Sequence, residues 1–168
     1  MEAVVWEQNS QFGDPTAIEM GVRGQLNEGQ LCRQHYHDGA FLIGFGTDRG
    51  TVAAASAWGE PMQVMRVRAS HPESYERLCH DSGVPAFMLP LRTPRRAEVR
   101  DELVVARLER AIGEVYCPET ELQSHCFHAR RPYQFDEYIW FDETHAVRPG
   151  TSGEAARLAT GHPFAIHA

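Results

Sequence analysis

The sequence predicts an α/β fold: a layered, largely parallel β-sheet flanked by helices. Three observations carry this. Strand-like and helix-like segments alternate along the chain, the pattern of α/β layering. The stretch "AFLIGFGT" (40–47) is a continuous apolar run, as in a strand covered on both faces. Residues 70 to 82 carry both the start and the stop signals of a helix.

The elements follow in order. Residues 3 to 6, Ala-Val-Val-Trp, read as a buried strand. Residues 27 to 36 read as a helix capped by Asn27, with Leu31, Cys32 and His35 on one face. The apolar run ends at Gly46-Thr47, and "TVAAASAW" (51–58) and "MQVMRVR" (62–68) are further strand candidates. In the helix over 70–82, Ser70 and Glu73 form a capping box, Pro72 suits the first turn and Gly83 stops it. Its inward stripe is Tyr75, Leu78 and Cys79. "AFMLPL" (86–91) is a strand whose Pro90 puts it at an edge. Residues 97 to 112 read as a helix with Val99, Leu103, Leu108 and Ile112 inward, and "YIWF" (138–141) as a late strand. One domain over 1–149 and a loosely ordered tail over 150–168, rich in Gly, Ala and Thr, complete the organisation.

Composition narrows the class. With 168 residues, 42% hydrophobic and 23% charged, the chain is of ordinary globular type. Net charge is −7, all 16 cations are arginine, and no basic stripe stands out, which argues against a nucleic-acid partner. No apolar run reaches the length of a membrane span, and Met1-Glu2-Ala3 does not open like a signal peptide, so a cytoplasmic location is expected. Cys32, Cys79, Cys117 and Cys126 lack C-x-x-C spacing and are expected as free thiols.

Ligands of such sheets bind beyond the carboxyl ends of strands. The candidate loops therefore follow Trp6, follow Phe45 and surround His125. His35 and His37 form an H-x-H pair, but at a helix end, where basic groups favour the dipole. Cys117, His125, Cys126 and His128 lack the paired spacing of a zinc site, although His125 and His128 would share a helical face. His125 alone is a candidate functional histidine. The three glycines of "GFGTDRG" (44–50) match no phosphate-binding fingerprint and read as a tight turn, or as places where a ligand reaches the backbone. No serine stands in a G-x-S-x-G elbow.

Four stretches taken together, "VVWEQNSQFGD", "GQLCRQHYHDGAFLIGFGTDRGTVAAA", "ERAIGEVYCPETELQSHCF" and "QFDEYIWFDET", resemble the erythromycin esterase family, which includes succinoglycan-biosynthesis-type hydrolases. They run over most of residues 3 to 148, in the family's order. The resemblance implies an α/β hydrolase that opens esters or lactones without metal or other cofactor, a glutamate or histidine serving as base on the attacking water. Such a step needs a base near the water and a donor near the oxyanion. It puts the catalytic positions at residues 8 and 11 with His125, and the substrate-binding positions at Asn9, Gly46 and Thr47.

Two departures qualify that expectation. Family members read W-A-H-N-x-H where this chain reads Trp6-Glu7-Gln8-Asn9-Ser10-Gln11. Glutamine donates and accepts hydrogen bonds but takes no proton near pH 7. The family's N-terminal half also carries a G-E-x-x-H-G motif. Here Gly59-Glu60, Gly113-Glu114 and Gly153-Glu154 are the Gly-Glu pairs, and none continues so. The chain therefore resembles the C-terminal half alone, an erythromycin-esterase-like half domain. As an isolated chain it is expected to be catalytically impaired, and to self-associate or to bind a partner chain that covers the missing half. The alternatives are a non-catalytic binding or regulatory module on the same scaffold, and a small metal-binding protein using His125, Cys126 and His128.

Overall fold

The computed structural model describes residues 3–14, 26–93 and 97–148. The expected C-terminal tail lies outside them. Helix α1 spans Asn9–Phe12, α2 Glu28–Tyr36, α3 Tyr75–Asp81, α4 Ala97–Val104, α5 Glu121–Ser124 and α6 Arg131–Gln134. Strand β1 spans Ile43–Ala54, β2 Gln63–Val67, β3 Ala86–Pro90, β4 Arg107–Arg110, β5 Cys126–Ala129 and β6 Glu137–Thr144. The α/β class of the sequence reading holds.

The main sheet has the order β2-β1-β6-β3, and a two-stranded sheet joins β4 to β5. The main sheet is mixed rather than largely parallel. Only the central pair β1/β6 is parallel, and both edges are antiparallel. The reason at one edge is connection length. Residues 55–62 join β1 to β2, too few for the crossover that a parallel neighbour requires.

Register divides the sheet into two faces. Gly44 pairs with Tyr138 and Tyr138 with Leu89; Gly46 pairs with Trp140 and Trp140 with Phe87. These residues face the core, where Tyr138 and Trp140 are buried with Tyr75 and Cys79 of α3, Leu103 of α4, and Ala129 and Phe135. The opposite rows, Phe45–Ile139–Met88 and Thr47–Phe141–Ala86, face away. On this face Phe45 is 40%, Phe141 47% and Met88 62% exposed. The apolar run of β1 is therefore covered on one face, not two.

Several local readings change, each for a visible reason. β1 continues unbroken through Gly46-Thr47 to Ala54, so the glycines lie inside a strand rather than in a turn. A Cβ on Gly46 would lie 1.8 Å from the Tyr138 hydroxyl, so only glycine admits that ring. Residues 3–8 form no strand, and Val4 and Trp6 are 80% and 77% exposed. The neighbouring edge of β1 is met by a side chain: Asn9 Nδ2 donates to the Phe45 carbonyl (2.7 Å) and Asn9 Oδ1 accepts from the Phe45 N–H (3.1 Å). Ser74, not Ser70, caps α3, accepting from the Arg77 N–H. The Ser70 hydroxyl is committed to buried Asp48. Gly83 follows α3 at φ 70°, a left-handed geometry that suits glycine. Asn27 caps α2 as expected, but Leu31 and His35 are exposed there.

The helix expected over 97–112 stops at Val104, and 107–110 pair with β5 instead. The Tyr75 hydroxyl lies 2.6 Å from the Leu103 carbonyl and 2.8 Å from that of Val105, meeting groups left open at the helix end. β5 likewise takes Cys126–Ala129, so His125 and His128 share no helix.

Beneath Tyr138 lies Arg131, fully buried. Its Nη2 donates to Glu76 Oε1 (2.9 Å) and its Nε to Glu109 Oε2 (3.3 Å). Its guanidinium carbon sits 4.2 Å from the Tyr75 ring centroid and 3.6 Å from that of Tyr138. Removing one partner of such a group strands buried charge, which costs about 3–5 kcal/mol. Arg131→Met is expected to lower unfolding free energy by that amount in urea titration. Adding Glu76→Gln and Glu109→Gln is expected to recover part of the loss.

Candidate functional site

A pocket of about 400 Å³ opens beside the carboxyl end of β6. Gln8, Asn9, Gly46 and Thr47 line it, with Phe45, Phe141 and residues 144–147. Four of the six residues singled out from sequence thus meet there. Gln8 caps the start of α1 with its carbonyl, which accepts from the Gln11 and Phe12 N–H groups. Its side chain lies along Gly113, where a Cβ would approach Gln8 Oε1 to 2.1 Å. The amide makes no hydrogen bond among the described residues.

Gln11 and His125 are not part of that wall. Gln11 sits on α1, half-buried. His125 ends α5, and its Nε2 accepts from the Cys117 N–H (3.0 Å). Burial holds its pKa below the usual histidine value. The ring is therefore neutral at pH 7, with the Nε2 lone pair turned to backbone.

The pocket floor adds two residues not singled out from the sequence, Glu76 of α3 and Arg110 of β4. Arg110 donates to the Thr47 and Asp48 carbonyls (3.2 and 3.1 Å), to the Arg68 carbonyl (2.9 Å) and to Glu121 Oε1 (3.1 Å). It thereby locks β1 at Thr47 to the β4 side of the molecule. Glu121 is held in turn by the Tyr116 hydroxyl. Glu76 joins the Arg131 group described above. Capping and periodicity could not flag it, because Glu76 sits among first-turn residues where an acid usually faces solvent.

A larger concavity, about 740 Å³, runs along β2 and carries Arg49, Arg66 and Arg68, but none of the expected site residues. Among the described residues, one group has the dimensions of a metal site: Asp48, His80 and Asp142. His80 Nδ1 lies 2.6 Å from Asp142 Oδ1. Arg49 already reaches both carboxylates, Asp48 at 3.2 Å and Asp142 at 3.4 Å, and serves as their cation. His35 and His37 are exposed at the end of α2, and all four cysteines are free.

The family model described as erythromycin esterase matches residues 1–144. The chain belongs to the erythromycin esterase family. Among solved structures, a succinoglycan biosynthesis protein aligns with TM-score 0.63 at 15% identity, and a Bacillus cereus protein with TM-score 0.65 at 13% identity. Each match covers 82% of this chain and 32% of the other. An erythromycin esterase mutant in its open conformation matches at TM-score 0.48 and 15% identity, covering 85% of this chain and 32% of that one. The family member thus spans about a third of the length of these structures. No helix among the described residues is long and apolar enough to cross a membrane.

Glu109, behind the floor, makes stability depend on pH. Burial raises its pKa from 4.5 to about 7, Arg131 opposes the rise and Glu76 adds to it. Between those two values the folded state holds more proton than the unfolded chain. Stability contributed by this group is complete below about pH 4.5 and is lost as pH rises to about 7. The slope is at most about 1.4 kcal/mol per pH unit. Urea midpoints measured from pH 4 to 8 are expected to show this fall relative to Glu109→Gln, whose own profile lacks it.

Proposed function

We propose that this family member forms one wall of a small-molecule site for an ester or lactone, and that it holds the ligand through neutral hydrogen-bonding groups. The observation that carries this reading is the meeting of Gln8, Asn9, Gly46 and Thr47 at one pocket. Gln8 offers both a donor and an acceptor there, and Phe45 and Phe141 offer apolar surface. Residues 8 and 11 move no proton, so any turnover must draw its base from elsewhere in the molecule. Without such a base the same pocket serves as a binding module, the runner-up reading. No cofactor enters either account.

The test is binding. A hydrolysis-resistant amide analogue, p-nitrobutyranilide, titrated into labelled protein is expected to shift the amide resonances of Gln8, Asn9, Thr47 and Phe141. Gln8→Ala is expected to weaken its affinity about fivefold, the worth of one neutral hydrogen bond. Unperturbed pocket resonances at saturating analogue would end this reading.

We also propose that the uncovered sheet face receives the part of the family fold absent from this sequence. Support comes from the exposure of Phe45, Met88 and Phe141, and from the structural relatives, about three times longer than the matched region. Apolar faces of this kind mark association surfaces. In isolation the chain is expected to self-associate at micromolar concentration in sedimentation velocity, and Phe45→Ser with Phe141→Ser to reduce it. A monodisperse monomer of the unmodified chain counts against this covering.

A further inference from the structure

Two glutamines stand where the family carries histidines, yet the pocket is not without an ionisable group. Its floor includes Glu76, only 1% exposed. One carboxylate oxygen is held: Glu76 Oε1 accepts from Arg131 Nη2 at 2.9 Å, with the Tyr138 hydroxyl at 3.5 Å. The other, Oε2, has no hydrogen-bond partner among the described residues, and it is not one of the sealed, unpartnered atoms of the interior.

What stands behind Glu76 is unusual for a structural ion pair. Arg131 is shared between two carboxylates, since its Nε also donates to Glu109 Oε2 at 3.3 Å. Glu109 is fully buried, and its Oε1 is sealed without a partner. One guanidinium thus faces two carboxyl groups in a dry interior. A buried carboxylate beside another is harder to ionise. The upward shift of Glu109 agrees with this. Gly46 is part of the construction, because its missing side chain admits the Tyr138 hydroxyl that leans on Glu76.

We infer that Glu76 is the catalytic acid–base residue of this pocket, with Arg131 and Glu109 as its positioning residues. The inference rests on the reading that the pocket binds an ester. In the step assigned, Glu76 Oε2 takes a proton from water as the water oxygen bonds to the ester carbonyl carbon. The carbonyl π pair moves onto the carbonyl oxygen. Collapse of the tetrahedral adduct re-forms the C=O bond and breaks the bond to the alkoxy oxygen. That oxygen takes the proton back from Glu76. Ester and water become acid and alcohol, and the carboxylate is regenerated. A short-chain ester or small lactone suits a pocket of about 400 Å³.

The experiment follows hydrolysis of p-nitrophenyl butyrate by the whole chain from pH 5 to 9, with p-nitrobutyranilide binding measured in parallel. The unmodified protein is expected to exceed the buffer rate. Glu76→Gln is expected to lose at least a hundredfold in kcat, as for removal of a general base, with analogue affinity held within about threefold. Glu109→Gln is expected to lower kcat while analogue affinity holds, and Glu109→Asp to restore part of the rate, because Arg131 is held between the two carboxylates. Analogue binding with no turnover by the unmodified chain would overturn the assignment and leave the binding reading intact. Loss of both binding and turnover in a folded Glu76→Gln protein would make Glu76 a ligand contact and also overturn it. If Glu76→Gln fails to fold, Glu76→Asp serves. A shortened carboxylate is expected to slow turnover while binding persists, and an unchanged rate would refute the role.

Discussion

The buried guanidinium of Arg131 is the constraint on which the interior depends. It has no contact with solvent and joins elements distant in sequence: Glu76 of α3, Glu109 of β4, and the rings of Tyr75 and Tyr138. Burying the guanidinium with its carboxyl partners is a large cost, offset only if each hydrogen bond is well made. That demand reaches outward. Tyr138 must lie flat against the guanidinium, so Gly46 must lack a side chain. The Tyr75 hydroxyl accepts from the Arg131 N–H (3.2 Å) while meeting the end of α4. The pocket floor is thus the outer surface of the core's own electrostatic solution.

A second fixed point organises the sheet. Asp136 receives Arg33 (2.8 Å) and the Leu42 N–H (2.7 Å) on one oxygen and Arg92 (2.6 Å) on the other. Its backbone carbonyl also accepts from the Leu91 and Arg92 N–H groups. This one carboxylate ties α2, the start of β1, the end of β3 and the start of β6 at one end of the sheet. The pocket lies at the other end. The division leaves the clamp to hold register and the far end free for chemistry, in keeping with ligand sites beyond the carboxyl ends of strands.

Much of this was legible in the sequence where local chemistry decides. Asn27 and Gly83 mark helix boundaries, Pro90 ends an edge strand, and the alternation of elements announces the class. Failures came where a distant group claims a residue. Ser70 has every local qualification for a cap, but Asp48 takes its hydroxyl. The apolar periodicity over 97–112 cannot foresee that the Tyr75 hydroxyl meets the backbone near Val104. Val4, Val5 and Trp6 read as a buried strand because they are apolar, yet all three are exposed, and the Phe45 ring, 6.1 Å from that of Trp6, does not cover them. The family resemblance named Gln8, Asn9, Gly46 and Thr47, which line one pocket, and also Gln11 and His125, which do not. It was silent on Glu76, whose meaning lies in Arg131, 55 residues further along the chain.

The exchange of histidine for glutamine at positions 8 and 11 bears on where proton chemistry can reside. An imidazole at the rim of a pocket titrates near neutrality because water keeps its environment close to bulk. A carboxylate at the rim would titrate far lower and make a weak base at pH 7. Burial, helped by another carboxylate close by, brings a glutamate toward the neutral range. Among the described residues Glu109, behind the floor of this pocket, meets those conditions: burial raises its pKa to about 7 and Glu76 adds to the rise. A scaffold that carries glutamine at position 8 of the rim therefore gives up a proton acceptor there, while the interior around Arg131 still raises the pKa of one carboxyl group, Glu109.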